Sequence, residues 1–104
     1  MSDQKRKLAV IVFTDIVGFT KLTSQDQQKA SDLLDTQRKE FSFLVKSFQG
    51  KWVKEMGDGL ILTFDTISKA VRCCVKMQQK AKAIEHLNLR IGMHLGEILE
   101  KEND

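Results

Sequence analysis

Residues Leu8 to Thr14, LAVIVFT, form an unbroken apolar, β-rich run. Its length suits a strand, and its lack of polar alternation suits a strand covered on both faces. The rest of the chain must therefore supply neighbouring strands and a layer of helices above it. Asp15 to Thr23 reads as a loop leading into a helix, with Ser24 as the expected N-cap and Gln27 as its capping-box partner. Ala30, Leu33, Leu34, Phe41, Leu44, Val45 and Phe48 then recur at helical spacing, and Gly50 is expected to end the helix. Trp52–Met56 and Leu60–Phe64 flank Gly57-Asp58-Gly59 and read as a β-hairpin. Asp65 is expected to cap a second helix with a buried stripe of Ile67, Ala70, Val71, Cys74, Met77 or Gln78, Ala81 and Ile84. Asn88 to Leu95 is another strand, broken by Gly96, and Glu97 to Leu99 is read as the start of a further one.

The order β-α-β-β-α-β is the α+β, ferredoxin-like split βαβ pattern. In that topology the first strand is central, antiparallel to the third and parallel to the second. The end of strand one and the tip of the hairpin then share one rim of the sheet, which brings Asp15 and Asp58 together. Both helices can cover only one face. Strands one and three are apolar on both faces, so the other face calls for a lid: a partner chain, or residues beyond these.

The 104 residues suit one small domain, with 41% hydrophobic and 30% charged residues, an ordinary globular composition. Residues 1–7 read as a polar tail, and Lys5-Arg6-Lys7 as a solvated run; with a net charge of +3, neither a nucleic-acid partner nor a lipid patch is expected. No apolar stretch approaches the roughly 18 residues needed to span a bilayer, and there is no signal core. A cytoplasmic location without membrane contact from this segment is the expectation, compatible with an anchor elsewhere in a longer parent. Cys73 and Cys74 are adjacent and lack ligand-spaced partners, so they read as reduced thiols in a helix.

Two carboxylates at one sheet rim can hold a hard divalent cation, with substrate phosphates completing its shell. Amides of the segment Ile16–Thr20, at a helix start, can cradle phosphate oxygens, and Gly18 permits close backbone approach. Aspartates are also common after strands and in Gly-Asp-Gly turns, so the pair alone is weak evidence.

The motifs say more. Phe13-Thr14-Asp15-Ile16-Val17-Gly18-Phe19-Thr20 resembles the signature segment of class III adenylyl and guanylyl cyclases. Val53-Lys54-Glu55-Met56-Gly57-Asp58-Gly59 resembles their second metal segment, and Leu89-Arg90-Ile91-Gly92-Met93-His94-Leu95-Gly96 their later strand motif. The three occur in order, and the similarity runs from Leu8 to Leu99 within a partial catalytic domain of residues 8–104. The resemblance implies that Asp15 and Asp58 are catalytic and hold two divalent ions per site, Mg2+ or Mn2+, with the Ile16 carbonyl as a further metal ligand. It implies that amides of Val17, Gly18, Phe19 and Thr20 contact phosphate. Lys54 stands where adenylyl cyclases carry an adenine-reading lysine and guanylyl cyclases a glutamate. ATP, converted to cyclic AMP and pyrophosphate, is thus the implied substrate. Arg90 and His94 are read as structural, and Glu55 as surface.

The family continues with a segment whose asparagine and arginine orient ribose and stabilise the transition state. These residues are not in this chain, so the resemblance implies a domain truncated at the C-terminus and little activity from it in isolation. Asp104 falls about where the family's second adenine-reading residue would lie. Family active sites form between two domains packed head to tail, which implies a homodimer in the parent. Two other readings stand beside this one: a guanylyl cyclase, or a non-catalytic cyclase-like module that binds nucleotide or a regulatory partner. A diguanylate cyclase fits less well, because its Gly-Gly-Asp/Glu-Glu-Phe turn is absent. A plain ferredoxin-like binding domain matches the periodicity but not the motifs.

Overall fold

The apolar run lies inside a longer strand. In the computed structural model, which describes residues 4–101, β1 spans Gln4–Ile16 and begins four residues before Leu8. Lys5, Arg6 and Lys7 thus belong to the ladder rather than to a tail, and Lys7 pairs with Asp65 at 2.8 Å and Glu100 at 3.2 Å. The other elements are α1 (Phe19–Gln25), α2 (Gln27–Ser47), β2 (Lys51–Met56), β3 (Gly59–Phe64), α3 (Ile67–Lys82) and β4 (Leu89–Lys101). The strand order is β2-β3-β1-β4, and every neighbouring pair is antiparallel. This is the expected split βαβ sheet, with β1 central. Asp104, which the resemblance sets near the family's second adenine-reading position, lies outside the described residues. Among the described residues no helix is long and apolar enough to cross a membrane.

Side-chain alternation assigns the two faces of β1. Val10, Val12, Thr14 and Ile16 are buried beneath the helices, in one core with Leu60, Leu62 and Phe64 of β3. Ile11, Phe13 and Asp15 point to the face that no helix covers, and Phe13 remains 46% exposed there. The helices contribute Leu33, Phe41 and Val45 from α2 and Ala70, Cys73, Cys74, Met77 and Ala81 from α3. Burial, with a smaller contribution from Cys74, pushes the Cys73 thiol up to about 12; burial pushes Cys74 up to about 11. Both are core residues that stay protonated at neutral pH.

Several element ends differ from the expectations. The first helix is split: Ser24 lies within α1, and Asp26 is the N-cap of α2, accepting a hydrogen bond from the Lys29 amide at 3.0 Å. Asp26 is extended, so it closes α1 with its own amide and opens α2 with its carboxylate. Thr66, not Asp65, caps α3, accepting from the Lys69 amide at 3.1 Å, because Thr66 is the extended residue just before the helix. Ile67 and Val71 are exposed, and Cys73 takes a place in the buried stripe instead. Gly96 does not break a strand: it pairs with Ala9 inside a continuous β4, because the ladder with β1 carries on through it.

The end of α2 shows what Gly50 is for. The Gln49 amide donates to the Lys46 carbonyl at 3.0 Å and the Gly50 amide to the Val45 carbonyl at 2.8 Å, the Schellman pattern. The left-handed position is Gln49, with φ 56°, rather than Gly50. Gly50 instead supplies space: a Cβ there would lie 2.4 Å from Phe64 Cε2 and 2.9 Å from Val45 Cγ1. Both neighbours are core residues with little freedom to retreat. Gly50→Ala is therefore expected to destabilise the fold by about 1–3 kcal/mol, read as a lower urea midpoint at unchanged slope. An unshifted midpoint would mean that the Phe64 ring yields freely.

Candidate active site

Asp58 reaches the rim because β2 and β3 close through a two-residue turn. Met56 pairs with Gly59, leaving Gly57 and Asp58 as the turn residues. Gly57 has φ 60°, a conformation favoured by glycine at the first turn position of tight hairpins. β1 meets β3 last through Thr14 and Leu60, so Asp15 and Ile16 project beyond β3 while still paired with β4. The Asp58 carboxylate accepts a hydrogen bond from the Ile16 amide at 2.7 Å. The expected convergence of Asp15 and Asp58 at one rim is thus present: both line a pocket of about 310 Å³ together with Ile16, Val17, Gly18, Phe19, Thr20 and Arg90.

The loop from Ile16 to Thr20 does not offer all its amides. The Ile16 amide is held by Asp58, and the Val17 amide donates to the Asn88 carbonyl at 2.8 Å. Val17 therefore lines the pocket without the free N–H that the resemblance implied. Gly18, with φ 81°, turns the chain into α1, whose first-turn amides have no partner inside the helix. That leaves the amides of Gly18, Phe19 and Thr20 at the helix start.

Lys54 does not line this pocket. On β2 it pairs with Ile61 of β3, and Ile61 also pairs with Phe13 of β1, which puts Lys54 on the open face beside Phe13 and Ile61. At two strand spacings and one side-chain repeat from Asp15, the backbone separation is about 12 Å. Lys54 is exposed. A bulge between Trp52 and Lys54 turns Trp52 onto the core side, where it packs, and Glu55 onto the helix side. There Arg38 grips Glu55 with two hydrogen bonds of 2.8 Å, which hold the Glu55 carboxyl below its ordinary pKa. Glu55 is thus an anchor between α2 and β2 rather than a free surface group. His94 sits mid-strand opposite Ile11, exposed on the open face.

Arg90, read from the sequence as structural, acquires a named partner here, and Gln37 is a supporting residue that the sequence reading misses. Arg90 lies directly across the β1–β4 ladder from Asp15 and holds both carboxylate oxygens, at 3.0 Å each. These bonds hold the guanidinium above its ordinary pKa. No spacing rule shows this contact, because it depends on the register of strands 75 positions apart in sequence. Gln37, almost fully buried on α2, donates to the Asp58 carbonyl at 3.3 Å, while its Oε1 has no partner. Its signal was available: it stands midway between Leu33 and Phe41 on the buried stripe, a polar residue where apolar ones recur.

The donor set at this rim suits a hard cation. It offers two carboxylates and peptide oxygens, has no thiol or imidazole, and opens to solvent where phosphate oxygens could complete an octahedral shell. Asp15 in its present pose is committed to Arg90, so holding a cation requires that ion pair to open.

The sequence profile of the adenylate and guanylate cyclase catalytic domain matches residues 1–102. A protein of Rhizobium meliloti (strain 1021) that carries an adenylate cyclase name is 32% identical over 108 residues, 96% of this chain and 18% of that protein. The solved adenylate/guanylate cyclase/hydrolase of Silicibacter pomeroyi is 27% identical with a TM-score of 0.81, over 97% of this chain and 63% of that one. The adenylyl cyclase CyaB of P. aeruginosa is 25% identical with a TM-score of 0.76, over 92% and 59%. The chain thus spans about a fifth of that curated relative and about three fifths of the two solved domains.

Proposed function

Because the chain belongs to the adenylate and guanylate cyclase catalytic domain family, we propose that it forms the metal- and phosphate-binding half of an enzyme site converting ATP to cyclic AMP and pyrophosphate. The observation that carries this reading is the Asp58 carboxylate locked onto the Ile16 amide beside Asp15, in a pocket walled by the 16–20 loop. Asp15, Asp58 and the Ile16 carbonyl would hold two Mg2+ or Mn2+ ions. Those ions, when bound, supply Lewis acidity that eases loss of the ribose 3′-hydroxyl proton and offset charge on the departing pyrophosphate. The Gly18, Phe19 and Thr20 amides would hold phosphate oxygens, and the hydrogen bond from Ile16 keeps Asp58 at the pocket. Turnover is assigned to a protein that carries this segment together with the family's asparagine- and arginine-bearing one.

The preference for ATP rests on Lys54. An ammonium can donate to the N1 acceptor of adenine, whereas guanine presents an N1–H that a carboxylate would accept. Lys54 lies outside the pocket but on the same open face, which fits a head-to-tail homodimer in which one protomer's Lys54 serves its partner's pocket. The apolar open-face residues Ile11, Phe13 and Ile61 support that arrangement.

The test measures cyclic AMP and cyclic GMP formed from Mn2+-ATP and Mn2+-GTP by such a longer protein and by its Lys54→Glu variant. ATP is expected to be preferred, and Lys54→Glu to lower kcat/KM for ATP by about 10–100-fold relative to GTP. Unchanged selectivity would remove Lys54 from base reading, and no product from either nucleotide would remove the enzymatic reading.

A further inference from the structure

We propose that Arg90 is a built-in counter-cation that occupies Asp15 until a divalent ion displaces it, so that the metal-free site competes with its own metal. The inference rests on the metal-binding reading above. Its observations are separate: the register, the two-point contact and the shared pocket.

The β1–β4 ladder sets Arg90 directly opposite Asp15, so the pair is placed by backbone pairing rather than by chance contact. The contact is bidentate, Nε to Oδ1 and Nη2 to Oδ2, both at 3.0 Å, so each oxygen that Asp15 could offer a cation already accepts a charged hydrogen bond. Arg90 and Asp15 line the same pocket as Asp58. Two carboxylates and one guanidinium leave a single net negative charge in that pocket, so an approaching cation meets half the charge of a bare Asp pair.

The pair is also easily opened. The two side chains are 71% and 42% exposed, and exposed ion pairs contribute little to fold stability. Arg90 has solvent to move into, because β4 is the sheet's edge strand. The exchange is therefore one cation for another at Asp15, with Asp58 still held by the Ile16 amide. Bare metal should bind weakly for this reason, and removing the guanidinium should strengthen binding even though nothing is added to the site.

The experiment uses the 104-residue chain without nucleotide. Free Mn2+ is followed by electron paramagnetic resonance for the unaltered chain, Arg90→Gln and Arg90→Lys, with thermal melts run alongside. Arg90→Gln is expected to bind Mn2+ about 10-fold tighter, with the gap narrowing as salt is raised, and Arg90→Lys to fall between the two. In a second arm, Mg2+ is titrated into the unaltered chain while the Arg90 Nε–H resonance is observed. It should lose its hydrogen-bonded shift and exchange faster as Mg2+ saturates. Equal or weaker Mn2+ binding by Arg90→Gln, or an unmoved Nε–H resonance at saturating Mg2+, would overturn displacement while leaving the metal site in place. No binding of either ion by any of the chains would overturn the metal reading and this inference together. Should Arg90→Gln fail to fold, the Mg2+ titration on the unaltered chain decides alone.

Discussion

Asp58→Asn is expected to cost at least about 100-fold in Mn2+-ATP affinity while leaving the fold intact. The asparagine is nearly isosteric, and its carbonyl oxygen can still accept the hydrogen bond that the Ile16 amide makes at 2.7 Å. The two-residue turn and the Gln37 contact to the Asp58 backbone carbonyl are untouched by the change. What is lost is the negative charge that a divalent cation needs. Asp58→Ala removes both charge and acceptor and leaves the Ile16 amide without its partner, which adds roughly 1–3 kcal/mol of destabilisation. The pair of variants separates the two roles of one side chain: titration calorimetry reads the first and a urea midpoint the second. Undiminished Mn2+-ATP binding by Asp58→Asn would take Asp58 out of the metal site. Equal midpoints for the two variants would show that the Ile16 bond does not hold the rim together.

Phe41→Ala is expected to remove the largest single share of stability, about 3–5 kcal/mol. Phe41 is 0% exposed and packs on α2 within the one core that joins both long helices to β1 and β3. A domain of this size has a total stability of only about 5–15 kcal/mol, so the variant should lie near its unfolding threshold at 37 °C. Phe43, two positions on, is 72% exposed, and Phe43→Ala should change stability by no more than about 0.5 kcal/mol. The contrast, measured by thermal or urea unfolding, tests the orientation of α2. A reversal of the two effects would mean that the helix presents its other face to the sheet.

Much of this architecture was legible because periodicity is local. The spacing of Ala30, Leu33, Phe41 and Val45 assigned the buried face of α2 correctly, and Gly57-Asp58-Gly59 marked the hairpin. Where the reading missed, several residues could satisfy the same local rule. Ser24 and Asp26 are both good N-caps, as are Asp65 and Thr66, and the winners were the residues whose backbones are extended. Gly50 looked like a left-handed helix end, but Gln49 takes that conformation, because the glycine is needed one position later where Phe64 leaves no room for a Cβ. In α3, Ile67 and Val71 fit the helical period, yet Cys73 took a buried place, because packing against the sheet decides which of two adjacent stripes turns inward.

The sequence by itself determined the order of strands and long helices, the central place of β1 and the meeting of Asp15 with Asp58 at one rim, because hydrophobic period and antiparallel topology together leave few arrangements. Only the tertiary structure decided that Arg90 grips Asp15, that the Val17 amide is already spent on Asn88, that Gln37 props the turn, and that Lys54 lies apart from the pocket on the open face. Those contacts depend on strand register and on a bulge in β2. A shift of one residue would send each of those strand side chains to the opposite face, and no local preference encodes that choice.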